Sequence, residues 1–243
     1  MKKILTIIGA RPQIIKAAAI SRAIKNEFSN ELTEVLVHTG QHYDENMSAV
    51  FFEELGIPKP DHQLAVGSGS HGAQTGEMLS AIESLILSEK PDGVVVYGDT
   101  NSTIAGSLAA VKLHVPVIHI EAGLRSFNKK MPEEINRIAT DHFSTLLFTP
   151  TVSGVNNLKN EGFETGDDNE GATLNAPKVY HCGDIMYDNS IFFSNIADEQ
   201  SEILEKHGVE SNGYILSTVH RPSNTDKKEN LKSILEALNE IAV

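Results

Sequence analysis

The sequence predicts an α/β fold with a doubly wound parallel sheet (Rossmann-like). Short, almost continuous runs of Val, Ile and Leu alternate along the chain with longer amphipathic segments. Strands of a parallel sheet have such compositions, because helices cover both faces of the sheet and bury every side chain. Right-handed crossovers between successive strands then produce the doubly wound arrangement.

The elements follow one another as repeated strand–helix units. Five apolar runs predict strands at residues 3–9, 32–38, 93–97, 117–120 and 146–148. The amphipathic segments between and after these runs predict helices at residues 12–28, 45–55, 72–89, 102–114, 132–143 and 152–160.

The first predicted strand leads into a helix start that carries two cations. An apolar run after two lysines could indicate a secretory signal, but Arg11 and Lys16 interrupt the run too early. Pro12 suits the first position of a helix, where its missing N–H is no loss. Free N–H groups together with Arg11 and Lys16 predict a phosphate site. The alternative is that Arg11 caps the edge of the sheet and Lys16 lies in solvent.

A polar segment rich in Gly and Asp, residues 161–177, predicts a linker between two domains. We therefore expect an N-terminal α/β domain at residues 1–165 and the start of a second α/β domain at residues 177–243. The second region has two strand patterns and two helical patterns, at residues 178–184, 213–220, 190–207 and 230–243. Because so few elements cannot easily close a sheet, we expect this domain to be truncated.

Composition narrows the classes of partner. The 243 residues include 20 Lys and Arg against 33 Asp and Glu, which gives a formal net charge of −13. This balance disfavours nucleic acid and anionic membrane surfaces as partners. No apolar stretch reaches the roughly 18 residues of a membrane span. Cys182 is the only cysteine in the sequence, which disfavours disulfides and thiolate metal clusters. We expect a soluble, cytoplasmic protein.

Reactive side chains concentrate where the predicted strands end. In open parallel sheets, ligands bind outside the carboxyl ends of the strands. Most of the reactive residues fall at five such ends, residues 9–11, 39–41, 98–101, 121–125 and 218–221. A solvated loop charge is the simpler explanation for any one of these residues, but their joint occurrence predicts a ligand site.

The carboxylates at these ends have structural as well as chemical interpretations. Asp99 lies between a strand and a helix, where Asp99 itself or the residues after it could cap the helix. Glu121 follows a buried strand, where a carboxylate is costly unless a cation or ligand compensates it. Glu133 and Glu134 begin a helix, and acids in a first turn favour the helix dipole whatever the function.

Two cofactor signals are weak. Gly67, Gly69 and Gly72 form a G-x-G-x-x-G motif, but a short and partly polar run precedes it. Asp99 also lies beyond the usual spacing of about 20 residues for a dinucleotide site. No H-E-x-x-H pattern occurs among the ten histidines, which disfavours a catalytic metal. We expect neither a nicotinamide nor a metal, and interpret the glycines as a flexible loop over a ligand.

Five motifs together resemble those of one enzyme family. They are GARPQIIK, TGQHYDENM, YGDTNST, HIEAGLRSFNKKMPEEINR and STVHRPSN. In this order they resemble the non-hydrolysing UDP-N-acetylglucosamine 2-epimerases, from Lys3 to the last helix. The resemblance implies a two-domain, glycosyltransferase-B-like architecture that works without a cofactor. It also implies inversion at C2 of a UDP-linked 2-acetamido sugar, from UDP-N-acetylglucosamine to its manno epimer (UDP-ManNAc), by elimination and re-addition of UDP, for envelope or capsular polysaccharide. We also expect a homodimer.

Carried over motif by motif, the resemblance implies a set of site residues. The expected catalytic residues are Asp99, Glu121, Glu133 and His220. The expected substrate-binding residues are Arg11, Lys16, Gln41, His42, Arg137 and Arg221. Within this second group, Arg11 and Lys16 would face the diphosphate and the sugar, and Arg137 would hold the carboxylates in place.

Three departures from the family pattern leave alternatives open. Family members continue through a complete second domain, whereas this sequence stops at Val243. The usual H-R-x-E-N reads HRPSN, with Ser223 in place of a carboxylate, and the Q-H-R stretch linked to activation by substrate has Tyr43 in place of Arg. These differences resemble relatives acting on UDP-2,3-diacetamido-2,3-dideoxyglucuronate. An inactive sugar-nucleotide-binding fragment and a glycosyltransferase of the same architecture are further alternatives.

Overall fold

The computed structural model describes residues 1–40, 59–164 and 171–242. The chain forms two compact units, Met1–Phe192 and Phe193–Val243. The predicted helix at residues 45–55 lies outside the described residues, as do Gln41 and His42. Among the described residues, no helix is both long and apolar enough to cross a membrane.

In its described part, the first unit contains one seven-stranded parallel sheet. The strands are β1 (Lys2–Ile8), β2 (Leu32–His38), β3 (His62–Gln63), β4 (Gly93–Tyr97), β5 (Val117–Ile120), β6 (Leu146–Thr149) and β7 (Lys178–His181). Their order across the sheet is β3-β2-β1-β4-β5-β6-β7, and every neighbouring pair is parallel. This order is that of a doubly wound fold, and the predicted fold class is confirmed.

Helices connect the strands and cover the sheet. The first unit contains α1 (Arg11–Asn26), α2 (His71–Glu89), α3 (Asn101–Lys112), α4 (Pro132–Phe143), α5 (Val152–Asn160) and the first half of α6 (Ile185–Gln200). The second unit continues α6 and adds α7 (Ile203–His207), α8 (Pro222–Thr225) and α9 (Lys228–Ile241). The predicted helices that the structure describes in the first unit begin and end within two residues of those observed.

Two apolar layers, one on each face of the sheet, hold the first unit together. Because side chains alternate along a strand, Leu5 and Ile7 of β1 face one layer, whereas Ile4 and Ile8 face the other. The first layer also contains buried residues of α2 and α3, and the second contains the buried face of α1. The residues just beyond the carboxyl edge of the sheet therefore follow strands that are packed in these two layers.

Gly9 allows the chain to turn from β1 into α1 in a crowded place. A Cβ at this position would lie 2.1 Å from Oγ of Ser102 and 2.2 Å from Oγ1 of Thr39. Any larger residue would therefore push the start of α1 away from the ends of β2 and β4. The close approach keeps Arg11 next to the sheet edge at which the strands end.

The second half of the chain differs from the sequence prediction in two ways. Strand β7, expected in a second domain, pairs with β6 in the sheet of the first unit, and the division between units follows Phe192 rather than residues 165–177. A polar, Gly-rich segment suits a surface connection within a domain as well as a linker. The predicted strand at residues 213–220 has no regular structure, because the described part of the second unit offers no strand to pair with it.

Candidate active site

The carboxyl ends of β1, β4 and β5 are neighbours in the sheet. The strand order reverses between β1 and β4, because the chain runs outward from β1 to β3 and then crosses back. Ligands of open α/β sheets bind in the crevice at such a reversal. The sheet therefore brings three of the predicted strand-end segments, residues 9–11, 98–101 and 121–125, to one place.

Asp99 is held by an arginine and does not cap the helix that follows it. The cap of α3 is Thr100, whose hydroxyl accepts a hydrogen bond from the Thr103 N–H at 3.4 Å. The Asp99 carboxylate instead forms an ion pair with Nη2 of Arg137. Its side chain is 31% exposed, against 16% for Arg137. The carboxylate is thus fixed by a cation while part of its surface stays open.

Glu121 forms a second ion pair, with Lys16 of α1. The side chains of Lys16 and Glu121 are 11% and 19% exposed, so neither charge is fully solvated. The backbone of Glu121 has a φ of 74°, a conformation that costs a residue with a side chain of the order of 1–3 kcal/mol and that is enriched at active sites.

Gly98 is next to both ion pairs. A Cβ at Gly98 would lie 3.2 Å from a carboxylate oxygen of Glu121 and 3.7 Å from Nζ of Lys16. Gly98 has a φ of 61° and directly precedes Asp99. We call Lys16–Glu121 and Arg137–Asp99 the strand-end pairs. Their shared border at Gly98 places two carboxylates and two cations in one region.

The two glutamates at the start of α4 have different environments. Glu133 is exposed, whereas Glu134 is 1% exposed and accepts hydrogen bonds from the N–H groups of Ser126 at 2.9 Å and Phe127 at 2.8 Å. Burial raises the pKa of Glu134, but these hydrogen bonds and the charge of Arg137 outweigh burial and leave the pKa below its ordinary value. Glu134 therefore anchors the loop before α4, and Glu133 faces solvent.

The other predicted site residues are placed as follows. Arg11 is exposed at the first residue of α1. His220 and Arg221 belong to the second unit and are exposed there. Gln41 and His42 lie outside the described residues. The glycines of the G-x-G-x-x-G motif follow β3 at the edge of the sheet, and a Cβ at Gly67, Gly69 or Gly72 would have no atom within 4 Å.

A buried network of four charged residues lies under the strand ends. Nδ1 of His119 is 2.7 Å from Asp141, and Asp141 is also 2.7 Å from Nη1 of Arg125. Arg125 in turn donates to both carboxylate oxygens of Glu161, at 2.7 and 2.6 Å. The side chains of His119 and Asp141 are 0% exposed and that of Arg125 is 1% exposed. We call these four residues the buried network.

Sequence analysis did not identify Gln13, which connects three elements of the site. Its Oε1 accepts from the N–H groups of Gly9 at 2.8 Å and Ala10 at 3.1 Å, and its Nε2 donates to the Tyr97 carbonyl at 2.9 Å and to Thr103 at 3.0 Å. Gln13 is 2% exposed. It fixes the β1–α1 turn against the end of β4, and a glutamine in an amphipathic helix carries no sequence signal for such a role.

The amino-acid sequence is similar to those of known sugar-nucleotide epimerases. The family model described as UDP-N-acetylglucosamine 2-epimerase matches residues 24–243. A UDP-2,3-diacetamido-2,3-dideoxy-D-glucuronate 2-epimerase from Pseudomonas aeruginosa is 56% identical over 241 residues, which cover 99% of this chain and 64% of that protein. A UDP-N-acetylglucosamine 2-epimerase from Methanocaldococcus jannaschii is 45% identical over 241 residues, which cover 98% of this chain and 62% of that protein.

Solved structures show the same similarity. A crystal structure of the Methanocaldococcus jannaschii UDP-GlcNAc 2-epimerase in complex with UDP-GlcNAc and UDP matches with a TM-score of 0.80 at 45% identity. The match covers 98% of this chain and 62% of that chain. A Rickettsia bellii UDP-N-acetylglucosamine 2-epimerase matches with a TM-score of 0.77 at 33% identity, over 99% of this chain and 59% of that chain. This chain therefore spans about three fifths of the length of these relatives.

Proposed function

This chain belongs to the UDP-N-acetylglucosamine 2-epimerase family, and we propose that the whole protein inverts C2 of a UDP-linked 2-acetamido sugar. The observation that carries the proposal is the meeting of the strand-end pairs at Gly98. Each carboxylate is held by a cation and stays partly exposed. This arrangement suits a reaction that transfers protons next to a departing anion.

The order of bond breaking follows from the chemistry of the sugar. The hydrogen at C2 has no neighbouring carbonyl group to make it acidic. Loss of UDP from C1 therefore leads, because the positive charge that develops on the ring makes the C2 proton removable. Arg11, exposed at the first residue of α1, is proposed to stabilise the departing diphosphate. Lys16, one turn further along α1, extends this positive region towards Glu121.

Inversion needs proton transfer on both faces of the sugar. A proton leaves C2 on one face and another returns on the opposite face, so one base in one place is insufficient. Asp99 and Glu121 follow different strands and are held by different cations. We propose these two acids as the principal catalytic residues, with Glu133 as a third and His220 of the second unit assisting. Arg137 positions Asp99, and Gln41, His42 and Arg221 are proposed to bind substrate.

Two substrates fit the proposal. The Pseudomonas aeruginosa relative, named for UDP-2,3-diacetamido-2,3-dideoxy-D-glucuronate, is 56% identical, and the Methanocaldococcus jannaschii relative, named for UDP-N-acetylglucosamine, is 45% identical. The HRPSN sequence, with Ser223 at the usual carboxylate position, also favours the first. We propose the diacetamido glucuronate as the preferred substrate and UDP-N-acetylglucosamine as the alternative.

Reaction of the whole protein in deuterated water tests this function. Each UDP-sugar is supplied separately, and NMR follows both the new epimer and deuterium at C2. We expect label at C2 of both epimers, with faster turnover of the diacetamido glucuronate. An epimer formed without label would exclude removal of the C2 proton. Release of UDP that requires an added acceptor sugar would instead indicate a glycosyltransferase.

Two further predictions concern the state of the protein. If the 243 residues act as a binding fragment, calorimetry with UDP will show heat of binding while no epimer forms in the assay above.

A homodimer in the cytoplasm stays our expectation for the whole protein. Sedimentation velocity at micromolar concentration checks the dimer, and a species with the mass of one chain would contradict it.

A further inference from the structure

His119 makes two hydrogen bonds that together fix its protonation state. Its Nε2 lies 2.8 Å from the carbonyl oxygen of Gly98, and its Nδ1 lies 2.7 Å from Oδ1 of Asp141. A carbonyl oxygen only accepts hydrogen bonds, and so does an ionised carboxylate. If Asp141 is ionised, both ring nitrogens of His119 have to donate, and the ring is an imidazolium.

The surroundings of Asp141 keep it ionised. Its second oxygen, Oδ2, accepts from the Gly123 N–H at 3.1 Å and faces Nη1 of Arg125 at 2.7 Å. Burial raises the pKa of Asp141, but the hydrogen bond from His119 and the charges of His119 and Arg125 outweigh burial and lower it. With Glu161 on the far side of Arg125, a protonated His119 would give the buried network two positive and two negative charges.

The hydrogen bond to Gly98 connects His119 to the candidate active site. The carbonyl of Gly98 and the N–H of Asp99 belong to one planar peptide unit, so holding the oxygen fixes the plane that leads into Asp99. The next peptide plane is held as well, because Nδ2 of Asn136 donates to the Asp99 carbonyl at 2.9 Å. Side chains of β5 and α4 thus fix both planes on either side of Asp99.

We propose that His119, protonated on both ring nitrogens, is a positioning residue that sets the direction of the Asp99 carboxylate. The residue touches no substrate in this proposal and acts through the Gly98–Asp99 peptide. The proposal rests on the proposed C2 inversion for its effect on rate. Its two structural parts, the protonation of His119 and the bond to Gly98, do not depend on that function.

Two amide variants separate the two hydrogen bonds. The amide N–H of His119→Gln can reach the place of Nε2–H and keep the bond to Gly98, whereas that of His119→Asn can reach the place of Nδ1–H and keep only the bond to Asp141. In the whole protein, we expect His119→Asn to lower kcat for C2 deuterium exchange about 100-fold with little change in KM, since displacing a catalytic group by about 1 Å has this effect. We expect His119→Gln to restore most of the rate.

NMR provides the readout that does not need activity. In the wild-type whole protein, we expect both ring nitrogens of His119 to carry protons at pH 7.5, with the Gly98 carbonyl resonance shifted in His119→Asn and retained in His119→Gln. A singly protonated His119, or equal kcat per folded molecule in all three proteins, would overturn the proposal. A wild-type protein that shows these NMR features but no C2 exchange would count against the proposed function and leave the positioning of Asp99 supported.

Discussion

The first unit uses charge in two different ways within one short distance along the chain. The centre of the buried network is closed, because the side chains of His119, Asp141 and Arg125 are at most 1% exposed and pair with protein groups, whereas Glu161 at its outer end is 28% exposed. The strand-end pairs are partly open, because the Glu121 and Asp99 side chains remain 19% and 31% exposed. The buried network stabilises the folded structure, whereas the strand-end pairs keep part of each carboxylate accessible to a ligand.

The same strand supplies both sets. His119 and Glu121 are two residues apart at the end of β5, and Arg125 follows in the next loop. The backbone at Glu121 turns to a φ of 74° between them, so one side chain remains under the sheet edge while the other reaches the crevice. Burial separates stability from chemistry here, since both groups of residues pair an Asp and a Glu with basic side chains.

The largest expected effect on stability comes from breaking the closed set. Asp141→Asn leaves His119 and Arg125 buried beside a neutral group, and losing one partner of a buried pair costs about 3–5 kcal/mol. Urea unfolding of the whole protein, followed by circular dichroism, measures the loss. The matched variant Asp99→Asn breaks a partly exposed pair and should cost about 0–1 kcal/mol. Equal losses in the two variants would remove the distinction between the sets.

The next effect concerns ligand binding by the open region. Arg11→Ala removes the cation at the start of α1 and should weaken UDP binding by about 1.5–3 kcal/mol, the range for a hydrogen bond to a charged group. Isothermal titration calorimetry of the whole protein measures the change. Lys25→Ala is the control, because Lys25 is exposed in the last turn of the same helix. Equal weakening of UDP binding by both variants would show that Arg11 acts only through the net charge of the protein and not through a contact with UDP.

The smallest effect is a pH dependence of stability that arises from Glu134. The pKa of Glu134 lies below its ordinary value of 4.5 in the folded protein. Its stabilising contribution is therefore complete above about pH 4.5 and is lost as the pH falls through the lower, folded value, with a slope of at most about 1.4 kcal/mol per pH unit. The stability difference between wild type and Glu134→Gln should shrink in this range. A stability difference that stays constant as the pH falls through this range would contradict the role of Glu134.

The sequence predicted the first unit well where local pattern decides structure. Runs rich in Val, Ile and Leu identified β2, β4 and β5 at their observed bounds, because apolar side chains predominate in strands that helices cover on both faces. Patterns do not say which strand pairs with which, so β7 was expected in a second domain. The apolar run at residues 213–220 has no neighbouring strand among the described residues of its unit, and strand propensity alone does not form a strand.

The site was predictable in position but only partly in detail. Strand ends in a parallel sheet identified the region of Asp99 and Glu121. The difference between Glu133 and Glu134 depends on two N–H groups of a preceding loop, which no helical pattern encodes. Similarly, Thr100 caps α3 and Asp99 does not, although both residue types are good caps. The positions of His119 and Gln13 depend on contacts between distant parts of the chain.

The central claim is that the open carboxylates at the strand ends move the C2 proton while the closed network holds the fold. Loss of the C2 proton signal from UDP-sugar in deuterated water, compared between the whole wild-type protein and Asp99→Asn, tests it most directly. We expect rapid loss of the signal with the wild type and at least a 100-fold slower loss with Asp99→Asn, at a melting temperature within about 4 °C of the wild type. Exchange at the wild-type rate in a folded Asp99→Asn variant would contradict the account.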